Sequence, residues 1–177
     1  MKSIRQKDKK AEVVEDTVQI VEFRVGGEEY GLDIQTITEV VRPLKITQLP
    51  HMPEFVEGVI NLRGVLIPVV DMRKRFALPQ IDRGRTARMI ITRGAVPGAP
   101  GSAENGLLGL MVDSVNEVLF VPQKNIAPPP PAATGEQVDF IAGMGKVGDH
   151  LIILLDITRI LSQQERSALA EAGHVES

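Results

Sequence analysis

The sequence predicts an all-β fold of two small SH3-like barrels with short helical turns and a C-terminal helix. Three observations predict it. The first is an internal repeat: Gly31–Val41 (GLDIQTITEVV) is echoed by Gly109–Leu119 (GLMVDSVNEVL), and Phe55–Lys74 by Phe140–Arg159. In the second echo Phe55/Phe140, Gly58/Gly143, Leu66/Leu151, Ile67/Ile152 and Asp71/Asp156 match without a gap. Two copies are too few for a solenoid, which needs three or more. The second observation is a succession of short strand patterns separated by turn residues. The third is composition: 43% of residues are hydrophobic, yet there are five Phe, one Tyr and no Trp. The core is therefore predicted to be aliphatic, resting on Val, Ile and Leu, which favour strands. A single larger barrel is the competing architecture.

Along the chain, residues 1–17 carry a basic run followed by Glu12, Glu15 and Asp16, and read as a disordered tail with little to bury. Val18–Val25 alternates polar and apolar, Gly26-Gly27 follows, and Tyr30, Leu32 and Ile34 alternate again. This predicts a hairpin with a two-residue glycine turn, in which Phe23 faces Tyr30, Val21 faces Leu32, and Arg24 faces Glu29. The looser pattern from Asp33 to Arg42 predicts a short helical turn leading into a strand. Pro53–Glu57 reads as one helical turn closed by Gly58. Val59–Asp71 reads as two strands joined at Asn61-Leu62-Arg63-Gly64, and Pro68 predicts an edge or an irregularity in the second.

Arg88–Arg93 is a further strand, and residues 94–106 read as a mobile Gly/Ala/Pro-rich loop. The two copies span about 28–74 and 106–159, within an ordered unit of 18–163. Pro128–Pro131 reads as a stiff connector. Ser162-Gln163-Gln164-Glu165 fits a capping box, predicting a helix over 162–173.

The balance of charges excludes several functions. A net charge of −3 argues against a nucleic-acid surface. With no cysteine, disulfides, thiolate catalysis and sulfur-based zinc sites are excluded. No apolar run is long enough to span a bilayer, and the basic start lacks the apolar stretch of a signal peptide. A cytoplasmic protein without direct membrane insertion is expected.

Chemistry is sparse. Gly143-Met144-Gly145-Lys146-Val147-Gly148 matches G-x-G-x-x-G, but a dinucleotide site needs a helix after the glycines. The following Leu151–Leu155 reads as a strand. His51, His150 and His174 are scattered without metal-ligand spacing. Asp71 and Asp156 occupy equivalent strand ends, as Glu39 and Glu117 occupy equivalent positions, so shared structural roles are expected of them. No nucleophile context is present. The reading is no enzyme, no catalytic residue, no metal and no cofactor. The informative asymmetry is Arg63: the second copy has Lys146-Val147-Gly148-Asp149 where the first has Asn61-Leu62-Arg63-Gly64. An arginine at a tight turn can offer a fork of donors to a partner. Ile37 and Val40 fit either the core or a groove between the barrels.

The segments Phe23–Ile34, Ile37–Val40 and Phe55–Arg73, the last containing the Asn-Leu-Arg-Gly turn and an apolar strand ending in Asp71, resemble the CheW family of bacterial chemotaxis coupling proteins. The later Gly109–Val118 segment shares the resemblance, which runs from about 18 to 163. It implies two intertwined five-stranded barrels. It also implies a non-enzymatic adaptor joining the regulatory domain of a CheA-type histidine kinase to the cytoplasmic tips of methyl-accepting chemoreceptors, and so recruited to the inner membrane face. On matching positions, the receptor-facing groove would include Ile34, Ile37, Glu39, Val40, Gly58 and Arg63. A coupler in a surface-motility or other chemosensory-like pathway is the nearest alternative. A small-ligand-binding β-barrel, centred on Gly143–Gly148, is the alternative of a different class.

Overall fold

The structure, a computed structural model, describes residues 16–94, 106–129 and 140–175. The predicted tail up to residue 15, most of the 94–106 loop and the second half of Pro128–Pro131 lie outside the described residues. The opening hairpin pairs β1 (Thr17–Val25) with β2 (Glu28–Asp33). Its register is the one the Gly26-Gly27 turn dictates: Phe23 opposite Tyr30, Val21 opposite Leu32, Arg24 opposite Glu29. β1 begins at Thr17, one residue inside the predicted tail.

A 3-10 turn at Ile34–Thr36 leads into β3 (Ile37–Val41). β4 (Val56–Leu62) and β5 (Val65–Asp71) form the central hairpin of the first copy, and α1 (Met72–Arg75) follows. Then come β6 (Arg88–Thr92), β7 (Leu108–Val112), β8 (Ser114–Pro122) and the short β9 (Ile126–Ala127). β10 (Ile141–Val147), β11 (His150–Leu155) and α2 (Gln163–Val175) complete the chain.

The strands form two sheets, β3-β6-β7-β5-β4 and β8-β1-β2-β11-β10-β9. Laid side by side, the orders match strand for strand: β3 with β8, β6 with β1, β7 with β2, β5 with β11, β4 with β10. The copies are intertwined, because β7 of the second copy pairs in parallel with β5, and β2 of the first pairs in parallel with β11. Each sheet closes by the same device. Just past β3, Thr47 exchanges two backbone hydrogen bonds with Val59 of β4 (2.8 and 2.9 Å), and just past β8, β9 pairs with β10.

Closure explains the matched glycines. A Cβ on Gly58 would lie 2.2 Å from the Thr47 carbonyl oxygen, and one on Gly143 2.7 Å from that of Ala127. No side chain fits where the closing segment crosses. This corrects the reading of Pro53–Glu57: a turn from Pro53 to Val56 starts β4 directly, and Gly58 sits inside the strand at a bulge with φ +144°.

Pro68 is tolerated within an inner strand for a related reason. It faces Val59, whose N–H and C=O are both engaged by Thr47, so Pro68's missing donor points away from β4. The β5–β7 ladder begins one residue later, at Val69.

Period-2 alternation sorts the core. Ile60, Ile67, Val69, Met89, Ile91 and Met111 fill the first barrel, and Ile20, Val121, Ile152 and Leu154 the second. These interiors lack aromatics, as composition predicts. The rings gather instead in the largest cluster, which joins strands of both barrels to Leu161, just before α2, and to Leu169 on it. There Phe23, Tyr30, Phe76 and Phe140 follow one another at centroid spacings of 5.9, 4.7 and 5.3 Å. The Arg75 guanidinium lies over both matched rings, Phe55 and Phe140, and donates to the Ile160 carbonyl. The capping box is formed, Glu165 N–H donating to Ser162 Oγ and Ser162 N–H to Glu165 Oε1. The helix continues through Gly173 to Val175, two residues beyond the expected end.

Candidate functional site

The matched aspartates have matched structural duties, whereas the matched glutamates part ways: Glu39 forms an ion pair with Arg63 and Glu117 lies opposite Glu22. The carboxylate of Asp71 accepts the Arg73 N–H at 2.9 Å, and that of Asp156 accepts the Thr158 N–H at 2.9 Å. Each caps the turn after its strand. Asp71 is buried within a charged group: Arg83 lies 3.7 Å from both Asp71 and Glu57, and Lys74 lies 2.7 Å from Glu57. Burial pushes the Asp71 carboxyl above its usual range, with neighbouring Glu57 acting in the same direction against the Arg73 N–H and Arg83. Arg73 is bound by Asp113 through Nε and Nη2 (2.9 and 2.6 Å), a hydrogen-bonded pairing that raises its pKa further.

The glycines of G-x-G-x-x-G fall inside β10 and its turn to β11. With no helix there to meet a pyrophosphate, the arrangement lacks what a dinucleotide site needs. The described residues hold no group of three or more His, Asp or Glu able to bind a metal.

The two inner turns differ. In the first barrel Arg63 and Gly64 occupy the turn with φ +53° and +88°, and Asn61 Oδ1 accepts the Gly64 N–H at 2.8 Å. In the second, Gly148 takes the place of Arg63 at φ +60°. A left-handed conformation costs a non-glycine residue about 1–2 kcal/mol. Arg63 accepts that cost with its side chain 70% exposed, reaching across to an ion pair with Glu39 of β3. Such an exposed pair contributes at most about 1 kcal/mol, so it leaves the fold little reason to keep an arginine there.

Arg63 and Glu39 flank an open cleft of about 640 Å³ at the mouth of the first barrel. Leu62, Val65, Ile67, Ile91 and Leu107 form its apolar floor, and Thr38 and Arg93 complete the rim. Ile34 is carried on the neighbouring 3-10 turn, and Ile37 packs half-buried against the central cluster. Val40 is 39% exposed on β3. Gly58 is placed apart: five residues from Arg63 along an extended strand, roughly 16 Å, it serves closure. The structure thus pairs Glu39 with Arg63 and sets Ile34, Ile37 and Val40 on the adjoining segment. Thr38, Val65 and Arg93 line the cleft without having been singled out from sequence. A short strand with mixed spacing carries no local signal that its Thr faces a cleft.

The chain matches the family model described as CheW-like domain over residues 19–165. It is similar to the chemotaxis protein CheW of Klebsiella aerogenes, 32% identical over 143 residues covering 81% of each chain. It is also similar to that of Treponema pallidum, 31% identical over 163 residues covering 89% of this chain and 90% of the other. Among solved structures it resembles the scaffolding protein TtCheW from Thermoanaerobacter tengcongensis, with a TM-score of 0.74 and 37% identity over 84% of this chain and 95% of that one. With both barrels and the Arg63 turn inside the matched span, this chain belongs to the CheW-like domain family.

Proposed function

We propose that this chain is a non-enzymatic chemotaxis coupling protein. It joins the regulatory domain of a CheA-type histidine kinase to the cytoplasmic tips of methyl-accepting chemoreceptors, and Ile34, Ile37, Glu39, Val40 and Arg63 form its receptor-facing surface. Gly58 contributes by keeping the first barrel closed beneath it. One observation carries the reading: an exposed arginine stands in a left-handed turn position where the repeat's other copy uses glycine, at the lip of an apolar-floored cleft. Backbone strain retained for no evident gain in stability points to function.

The mechanism follows from surface physics. A receptor helix lays apolar side chains along Ile34, Ile37 and the cleft floor, and Arg63, already oriented by Glu39, donates to it. Such a contact is small, on the order of 1,000 Å² or less, and individually weak. Engaging kinase and receptors together raises the effective concentration and holds the assembly. No helix among the described residues is long and apolar enough to cross a membrane, and the proposal places the chain at the inner membrane face through its receptors.

Co-sedimentation with receptor-containing membranes, with and without the kinase, tests this reading while kinase autophosphorylation is followed. The expected result is co-sedimentation with an altered kinase rate, reduced by Arg63→Ala. Absence of association with either partner would overturn it.

A further inference from the structure

Arg93, immediately after β6, lies outside the sequence motifs that carry the repeat and the family resemblance. Its main-chain N–H donates to the Thr36 carbonyl at 2.9 Å, and its guanidinium reaches the same turn, Nε and Nη2 donating to the Gln35 carbonyl at 3.1 and 2.7 Å. The turn is also tied from within: Asp33 Oδ1 accepts the Gln35 N–H, Thr36 Oγ1 donates to the Asp33 carbonyl, and the Ile37 N–H donates to the Ile34 carbonyl. Arg93 thus anchors a self-bonded turn onto the barrel wall, on the rim of the cleft that Arg63 also borders.

The second barrel lacks this clamp. Arg24, the counterpart of Arg93 by strand register, turns its guanidinium to Glu29 at 3.1 Å. The equivalent corner there is held by Asp113, which accepts the Gly26 N–H at 2.9 Å and binds Arg73. Like the arginine at the inner turn, the clamp belongs to the first barrel.

Resting on the receptor reading of Ile34 and Ile37, we propose that Arg93 is a positioning residue that fixes the Ile34–Thr36 turn, so that these two side chains are presented beside Arg63 before the receptor arrives. Without the clamp, binding must first order the turn, and affinity falls by that amount.

The test compares wild type, Arg93→Ala and Arg93→Lys in two measurements. One is titration with a purified cytoplasmic hairpin fragment of a chemoreceptor from the same organism. The other is amide hydrogen exchange at Ile37, with Ile90 in β6 as the control for global stability. Loss of two hydrogen bonds to one carbonyl predicts roughly fivefold weaker binding for Arg93→Ala. Exchange at Ile37 should quicken while Ile90 is unmoved, and lysine, whose ammonium can reach that carbonyl with a single N–H where arginine uses two, should restore part of both effects. Unchanged affinity and unchanged Ile37 exchange in Arg93→Ala would overturn the proposal. Failure of wild type to bind the hairpin would overturn the receptor reading, and with it the functional half of this inference. The exchange result would still decide whether Arg93 pins the turn.

Discussion

In the first barrel the β4–β5 turn carries Arg63, paired with Glu39; in the second the β10–β11 turn carries Gly148, and Glu117, the counterpart of Glu39, faces Glu22 across the β1–β8 ladder. Around these turns the barrels agree in detail. Gly58 and Gly143 admit the closing segment, Asp71 and Asp156 cap the turn that follows, and Ile67 and Ile152 are fully buried in their interiors. At these matched positions a steric, packing or hydrogen-bonding demand of the barrel accounts for the residue. Where the copies differ, in the residue at Arg63 and in the partner that Arg93 and its counterpart Arg24 reach, the side chain serves something other than closure. A duplicated fold therefore carries its own internal control.

The largest effect expected from breaking this comparison lies at the closing glycines. Gly58→Ala should destabilise by about 3 kcal/mol or more, because the new Cβ meets a backbone carbonyl at a positive φ. Gly143→Ala, with more room and no positive φ, should lose about 1–2 kcal/mol. Urea unfolding of the two variants measures the difference, and equal losses would contradict the tighter approach and positive φ described at Gly58.

The capping acids come next. Asp71→Ala should cost about 2 kcal/mol and half-buried Asp156→Ala about 1 kcal/mol, again by urea unfolding. Asp71 also predicts a pH dependence. A carboxyl whose pKa is raised in the folded state favours folding when protonated; its contribution is full below the ordinary carboxylate value and is lost as pH rises through the raised one. The stability of wild type relative to Asp71→Asn should therefore fall as pH is raised from acid to neutral. A rise would contradict the buried environment described for it. A loss as small as that of Asp156→Ala is expected at the inner turn of the second barrel, where Gly148→Ala should cost about 1 kcal/mol for the left-handed conformation, read by the same urea unfolding.

Much of the fold was legible because its signals are local. The Gly26-Gly27 turn sets the β1–β2 register, the Ser162/Glu165 box starts α2, and the repeat announces two like halves. The exchange of β2 and β7 between sheets has no local signal, since parallel pairing between distant strands leaves no mark in either strand's own pattern. It came into view through resemblance alone. Pro53–Glu57 was misread because a proline, an acid and a following glycine suit a helical turn as well as a bulged strand start. At the site, Arg63 stood out because its twin is a glycine. Arg93 did not, since its significance rests on a carbonyl 58 positions earlier in the chain.

The most direct test of the account replaces Arg63 by the residue its twin already uses. For Arg63→Gly, receptor-hairpin affinity and the thermal midpoint are measured on the same preparation. The account predicts about tenfold weaker binding, on the scale of a lost interface anchor, with a midpoint equal to or above wild type because glycine relieves the left-handed turn. Unchanged affinity in a protein that melts as wild type does would contradict the claim that this arginine is kept for the receptor.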